Sequence, residues 1–339
     1  MSIELFLYSK QLPAKSAIEQ IIYPLGFQPV DESIKRPYYY YNYFEEENYE
    51  SVCGVQLTVS KADPKDREIP RGTRTIFSAR TAAGRCYEDI ETQNNVIRKL
   101  KSVFGGSVYN DGDGRYAYVE NYAPHLSAAE KRCGFVYLSF CMNIMRVVIV
   151  ASKLDKDYIK RKELLGELYK FDKGLVTNNL IVVYLVSILE TFLKDLFIAY
   201  IEMQPDLLQK IFDRSSKIDF QTLRALLERE KSLAEFEADY YTFQNLKSAN
   251  LAYSTYLSVN LFNIWDRRRR KIDKKFYKVR DVVEELIELR HKIAHTAYLE
   301  PDFDEAQVKK YIEAVETAGK LLAEALEAKG FRIDLDKHL

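Results

Sequence analysis

The order of apolar and polar positions changes character near Pro124. Before it, short extended patterns alternate with helical ones. ELFLYSK (4–10) is apolar and aromatic, AKSAIEQIIYPLG (14–26) has helical spacing and stops at Pro24 and Gly26, and FQPV (27–30) resumes an extended pattern. This β-α-β opening is followed by two strand patterns, ESVCGVQLTVS (50–60) and TRTIFSART (73–81). A helix over YEDIETQNNVIRKLKSVFG (87–105), ended by Gly105, and a hairpin over SVYNDGDGRYAYVEN (107–121) complete the pattern. The sum predicts an α+β domain built on a mixed α/β sheet.

After Pro124 glycine nearly disappears and apolar residues recur at three and four spacings. Ser127 followed by Glu130 forms a capping box at the start of this region. The pattern predicts an all-α bundle, with helices over about 128–154, 157–171, 175–203, 205–212, 217–229, 232–247, 278–297 and 304–328. Within it, VVYLVSILETFLKDLF (182–197) is apolar around almost its whole circumference and reads as a central helix, although Ser187, Glu190 and Lys194 interrupt it. A buried glutamate needs a partner. The run FVYLSFCMNIMRVVIVA (135–151), broken by Asn143 and Arg146, falls short of the about 20 residues that span a bilayer and reads as a buried helix.

A chain of 339 residues with this change of texture suggests two domains, 1–125 and 126–339, the first serving as sensor, regulator or substrate platform. Fifty basic and fifty acidic residues cancel, so any attraction for nucleic acid has to come from local clustering. Four cysteines without C-x-x-C spacing, and an N-terminus lacking the pattern of a signal peptide, suggest a cytoplasmic protein. RPYYYYNYFEEENYE (36–50) carries six tyrosines, which could fill a sheet or offer stacking surfaces; the packed strand or loop is favoured. NDGDG lacks the closing glutamate of a calcium loop and reads as a turn. No metal site and no cofactor motif is expected, and no contact with a membrane.

The chemistry concentrates in VRDVVEELIELRHKIAH (279–295). Val282, Val283, Leu286, Leu289 and Ile293 form one apolar stripe, and Arg290, His291 and His295 are expected to leave it together. At 100° per residue the two histidines lie about 40° and one turn apart. Just upstream, the segment 267–280 holds nine basic residues and one aspartate; Arg267, Arg268, Arg269, Arg270, Lys271, Lys274, Lys275 and Lys278 are its candidate phosphate contacts. A charge run is more often a solvated face, and Arg and His also collect at helix C-termini for macrodipole reasons. A zinc site on His291 and His295 has no third ligand nearby. Metal-free RNA cleavage suits the residue types better: imidazole can take or give a proton near neutral pH, and guanidinium can clamp a phosphorane.

The pairing of Ser187-Ile188-Leu189-Glu190, with Leu193 and Leu196, and a later Arg290-His291-Lys292-Ile293-Ala294-His295 resembles the HEPN superfamily over roughly residues 150–328. The resemblance implies a dimerising helical bundle and, in many members, a metal-independent endoribonuclease of toxin or antiviral defence systems. It assigns Arg290, His291 and His295 to catalysis and Glu190 to their support. RNA is the implied substrate, a homodimer the implied assembly, and a regulatory protein a further expected partner. One toxin branch has a tyrosine two positions after the histidine; here Ala297 stands there, with Tyr298 next. The alternative is a non-catalytic helical module that binds RNA or nucleotides under control of the N-terminal domain.

Overall fold

A computed structural model describes residues 2–30, 39–45, 48–152, 173–214, 219–267, 269–272, 275–300, 303 and 305–339. The chain divides into two compact units, residues 1–131 with 335–339, and residues 132–334.

The first unit is a six-stranded antiparallel sheet in the order β2-β3-β4-β5-β1-β6. Its strands are β1 (Ile3–Ser9), β2 (Gln28–Pro29), β3 (Tyr39–Tyr43), β4 (Val55–Lys61), β5 (Thr75–Thr81) and β6 (Ser107–Asn110). The opening β-α-β is therefore not a parallel crossover, because β1 lies between β5 and β6 while β2 pairs at the edge with β3. The expected closing hairpin shrinks to β6 and a single bridge from Asn110 to Arg115. Alternation sends Leu5, Leu7, Leu57, Val59, Phe77 and Val108 to one side, where α1 (Lys15–Ile22) and α2 (Tyr87–Phe104) supply Ile18, Ile22, Ile90 and Ile97 to the same core.

Asp89, fully buried near the start of α2, ties the unit together. Its carboxylate accepts N–H bonds from Val52 (3.2 Å), Cys53 (2.9 Å), Gly54 (3.0 Å) and Cys86 (3.0 Å), besides the Ser51 hydroxyl. Four N–H donors aimed at one carboxylate satisfy a charge that would be costly alone. Gly54 is required here: at φ 68° a Cβ would lie 2.3 Å from the Tyr43 carbonyl oxygen. The tyrosine-rich strand β3 is mostly spent on the core, with Tyr41 buried and Tyr39 and Tyr43 packed against the cluster.

The second unit is helical. Its described helices are α3 (Ala128–Ser152, whose first turn belongs to the first unit), α4 (Lys173–Glu202), α5 (Pro205–Arg214), α6 (Phe220–Leu227), α7 (Leu233–Ala238), α8 (Leu246–Tyr256), α9 (Leu261–Asp266), α10 (Val279–Thr296) and α11 (Glu305–Glu327). A short α12 (Leu335–His338) follows. The Ser127–Glu130 capping box forms, with Ser127 N–H donating to the Glu130 carboxylate (2.8 Å) and Glu130 N–H to Ser127 Oγ (3.2 Å). α4 packs against α10 and α11 and buries most of its length, as a central helix should.

Several expectations need correction. The all-helix reading fails at 269–278, where β7 (Arg269–Ile272) and β8 (Lys275–Lys278) form an antiparallel hairpin. Crowded like charges disfavour a helix there, and Ile272, Phe276 and Tyr277 favour strands. The single helix at 232–247 is two, α7 and α8, because Asn245 caps a new start by accepting from Lys247 N–H (2.9 Å) and Ser248 N–H (3.2 Å). α9 fell in no expected segment. The expected helix at 157–171 lies outside the described residues. The α3 run is not too short to span a bilayer: Ala128–Ala151 is long and apolar enough by length and composition alone, with 33% of its most apolar window buried. Met142, Met145, Val148 and Ile149 are exposed, and Arg146 donates to Asn143 Oδ1 (2.9 Å).

Candidate active site

α10 follows directly from β8, with Lys278 as its N-terminal cap residue. Its buried residues are Val279, Val282, Val283, Leu286, Leu289 and Ile293. The three motif residues do not leave this stripe together. Arg290 comes seven residues after Val283, which brings it within about 20° of that residue around the helix. It is accordingly half-buried, with its Nε fully buried and without a hydrogen-bond partner. His291 and His295 are exposed, their rings nearly parallel (15°) with centroids 5.7 Å apart.

Arg290 faces α4. Burial pushes the half-buried Glu190 carboxyl above its ordinary range, while the Arg290 charge and a hydrogen bond from Gln244 pull it back down. The two helices are neighbours, as expected, and the Arg290 charge reaches Glu190 without an ion pair or hydrogen bond between them. The other polar residues of the central helix serve locally: Ser187 donates to the Val183 carbonyl within the helix (3.0 Å), and Lys194 pairs with Asp239 (3.1 Å).

Gln244 links this pair to a cleft of about 670 Å³ beside the motif. One wall is the exposed side of α10, with Arg280, Glu284, Ile287, Glu288 and His291; the other is the stretch from Thr242 to Lys247 between α7 and α8. Reading 232–247 as one helix concealed Gln244. Asn178 and Asn179 on α4 were also missed. Both are buried: Asn178 donates to the Phe303 carbonyl (3.0 Å), and Asn179 accepts from Glu300 N–H (2.8 Å) and donates to the Glu300 carbonyl (3.3 Å). They hold the segment that follows the histidines. Their sequence signal is an Asn-Asn pair within an otherwise apolar helix. Tyr298, in the held segment, donates to Glu300 (3.2 Å), and Ala297 closes α10 in the left-handed region, φ 51°.

The basic run precedes the motif helix, at the end away from the histidines. Arg267 ends α9; Arg269, Arg270, Lys271, Lys275 and Lys278 lie on the hairpin strands; Arg268 and Lys274 lie outside the described residues. Lys278 and Arg280 both reach Asp266, at 4.0 and 3.4 Å. Adjacency in sequence is therefore not adjacency in space, because thirteen residues of helix from Lys278 to His291 put about 20 Å between hairpin and imidazole. Among the described residues, no group of three or more His, Cys, Asp or Glu side chains is placed to hold a metal ion.

The helical domain thus places a half-buried arginine near a carboxylate on a neighbouring helix, with two exposed imidazoles on the same helix as the arginine. The RiboL-PSP-HEPN family model matches residues 156–328, just over half the chain, and the protein belongs to that family. The domain indicates a function connected with RNA or its cleavage. Comparison with curated proteins and with solved structures gave no match.

Proposed function

We propose that the protein is a metal-independent endoribonuclease whose catalytic residues are Arg290, His291 and His295, with Glu190 in support. The observation that carries this reading is the Arg290–Glu190 opposition across α10 and α4 beside the two exposed histidines. One imidazole removes the proton of a ribose 2′-hydroxyl. The oxygen attacks the adjacent phosphorus, and a second imidazole protonates the departing 5′-oxygen, leaving a 2′,3′-cyclic phosphate and a 5′-hydroxyl. Arg290 meets the phosphorane charge, and Glu190 holds the guanidinium in place. Toxin or antiviral defence activity is part of the same proposal, as is a homodimer in which two clusters face one cleft.

Incubation of the purified chain with RNA and excess chelator tests the enzyme directly. Cleavage with cyclic-phosphate ends is expected, whereas RNA bound but left intact would favour the non-catalytic module. The dimer is tested by mixing wild type with His295→Ala. Mixed dimers should cut poorly, and activity per chain should fall on dilution. A fully active monomer would assign both proton transfers to the His291–His295 pair of one chain.

A further inference from the structure

The antiparallel sheet of the first unit has a second face. On it, pairing registers Tyr40, Thr58, Ser78, Phe6 and Tyr109 into one row across five strands. Phe6 and Tyr8 lie parallel (7°) with ring centroids 6.0 Å apart, Tyr8 continues to Tyr109 (6.5 Å), and Tyr109 to Tyr116 (5.3 Å). Phe6, Tyr8 and Tyr109 are partly exposed, and Tyr116 is 65% exposed. Four rings therefore form a continuous run over β1, β6 and the turn after it. The row beside them on this face holds Ser78, Thr58 and Ile76, with the Glu4 carboxylate and the Arg80 guanidinium in register next to them.

Charge is arranged to match. Lys10 follows β1 and Arg74 precedes β5, each in the alternation of the ring-bearing face, and the register Ser9↔Thr75 brings these two exposed cations to one end of the sheet. Asp63 and Asp66, in the intervening loop, accept from the N–H groups of Lys65 and Glu68, while burial first and then neighbours that include Asp111 and Asp66 raise the pKa of the Tyr8 hydroxyl. Rings that offer flat faces, hydrogen-bonding groups between them and a cationic rim are the requirements for holding unstacked bases and their phosphates.

We propose that this open face binds single-stranded RNA by stacking bases on Phe6, Tyr8, Tyr109 and Tyr116, with phosphates toward Lys10 and Arg74. The assignment rests on the RNA reading of the helical unit and gives the first unit the role of substrate platform. The test uses the full chain carrying His295→Ala, so that RNA stays intact, titrated with a short fluorescein-labelled oligouridine. Adding Phe6→Leu together with Tyr109→Leu, which keeps apolar bulk but removes both rings, should weaken binding roughly tenfold or more. Tyr109→Phe should leave affinity unchanged, and Tyr116→Ala, at an exposed site that folding does not need, should weaken it severalfold. A duplex of equal length should compete poorly. Equal affinity in the ring-free and Tyr116→Ala chains, while the parent binds RNA, would overturn the platform and leave the nuclease reading standing. A parent chain that neither binds oligouridine nor, as wild type, cuts RNA would overturn both.

Discussion

On the Val279–Thr296 helix, Arg290 follows the apolar stripe through Val283 and Leu286, whereas His291 and His295 stand on the solvent side. The two kinds of group are held by different physics. Arg290 is half-buried in the packed side of its helix, and its charge acts on Glu190 across the helix pair. The histidines stand exposed on the helix, so substituting them should disturb chemistry and little else. A site of this kind joins a packed electrostatic half to a solvent-side half.

The largest expected effect sharpens this contrast. His295→Ala should lower the cleavage rate by about 10²–10⁴-fold and change unfolding free energy by less than about 0.5 kcal/mol, as at other exposed positions. Arg290→Ala should also lower the rate by about 10²–10³-fold, but with a stability loss that grows with pH. Glu190 has a raised folded-state pKa, so folding binds its proton more tightly and stability falls as pH rises above the ordinary value of 4.5. Without Arg290 that fall should extend to higher pH. Denaturant midpoints from pH 4 to 8, by about one-unit steps, check the sign. A pH-independent deficit in Arg290→Ala would break the link to Glu190.

A second effect concerns the two ends of the same helix. Replacing residues 267 to 270 by serine should weaken RNA binding and flatten its dependence on salt, since every phosphate that is no longer neutralised takes about 0.7 off the log–log slope for single strands. The rate at saturating RNA should change far less, because the hairpin lies about 20 Å along the helix from the imidazoles. A fall in the saturated rate as large as that of His295→Ala would place the basic run in the catalytic cluster after all.

Glu190→Gln, a smaller change, tests the carboxylate from the other side. It keeps shape and hydrogen bonding to Gln244 but removes the charge whose burial is unfavourable. Stability should become flatter as pH rises above 4.5, since the raised carboxyl is no longer there to lose its proton. Cleavage should fall by about fivefold to tenfold, the size of a typical coupling between neighbouring sites. Unchanged cleavage would reduce Glu190 to a packing residue.

The sequence made the central helix and the motif helix legible, because burial of Val282, Val283, Leu286 and Ile293 follows the 3.6-residue period directly. It also marked Glu190 as an ionisable group in an apolar helix and named Arg290 as the candidate to face it, and the two helices do pack together. It misplaced Arg290 itself. The spacing 283, 286, 290, 293 is that of a buried stripe, yet an arginine within it was expected outside, and long side chains commonly bury their stems in this way. The cleft was hidden for another reason: Phe243 and Leu246 continue an apolar spacing across a chain reversal that only the Asn245 cap reveals. The aromatic face of the sheet was hidden by the denser tyrosines of β3, whose partners in the core could be known only from the strand register.

The smallest effect concerns the end of the motif helix. Ala297 closes it at φ 51°, ψ 28°, a conformation that costs a Cβ-bearing residue roughly 1 kcal/mol and glycine almost nothing. Asn178 and Asn179 hold the segment beyond it, so the turn persists despite the strain. Ala297→Gly should therefore stabilise the protein by about 0.5–1 kcal/mol, less the added chain entropy of glycine in the unfolded state. The helix keeps its length in that variant, and the histidines keep their positions, so cleavage should be unchanged. If cleavage falls while stability rises, the solvent-side half of the site is not free of the fold but is set by strain at this turn. The contrast between Arg290 and the histidines would then have to be redrawn, with the Asn-anchored segment acting for His295 as Glu190 acts for Arg290.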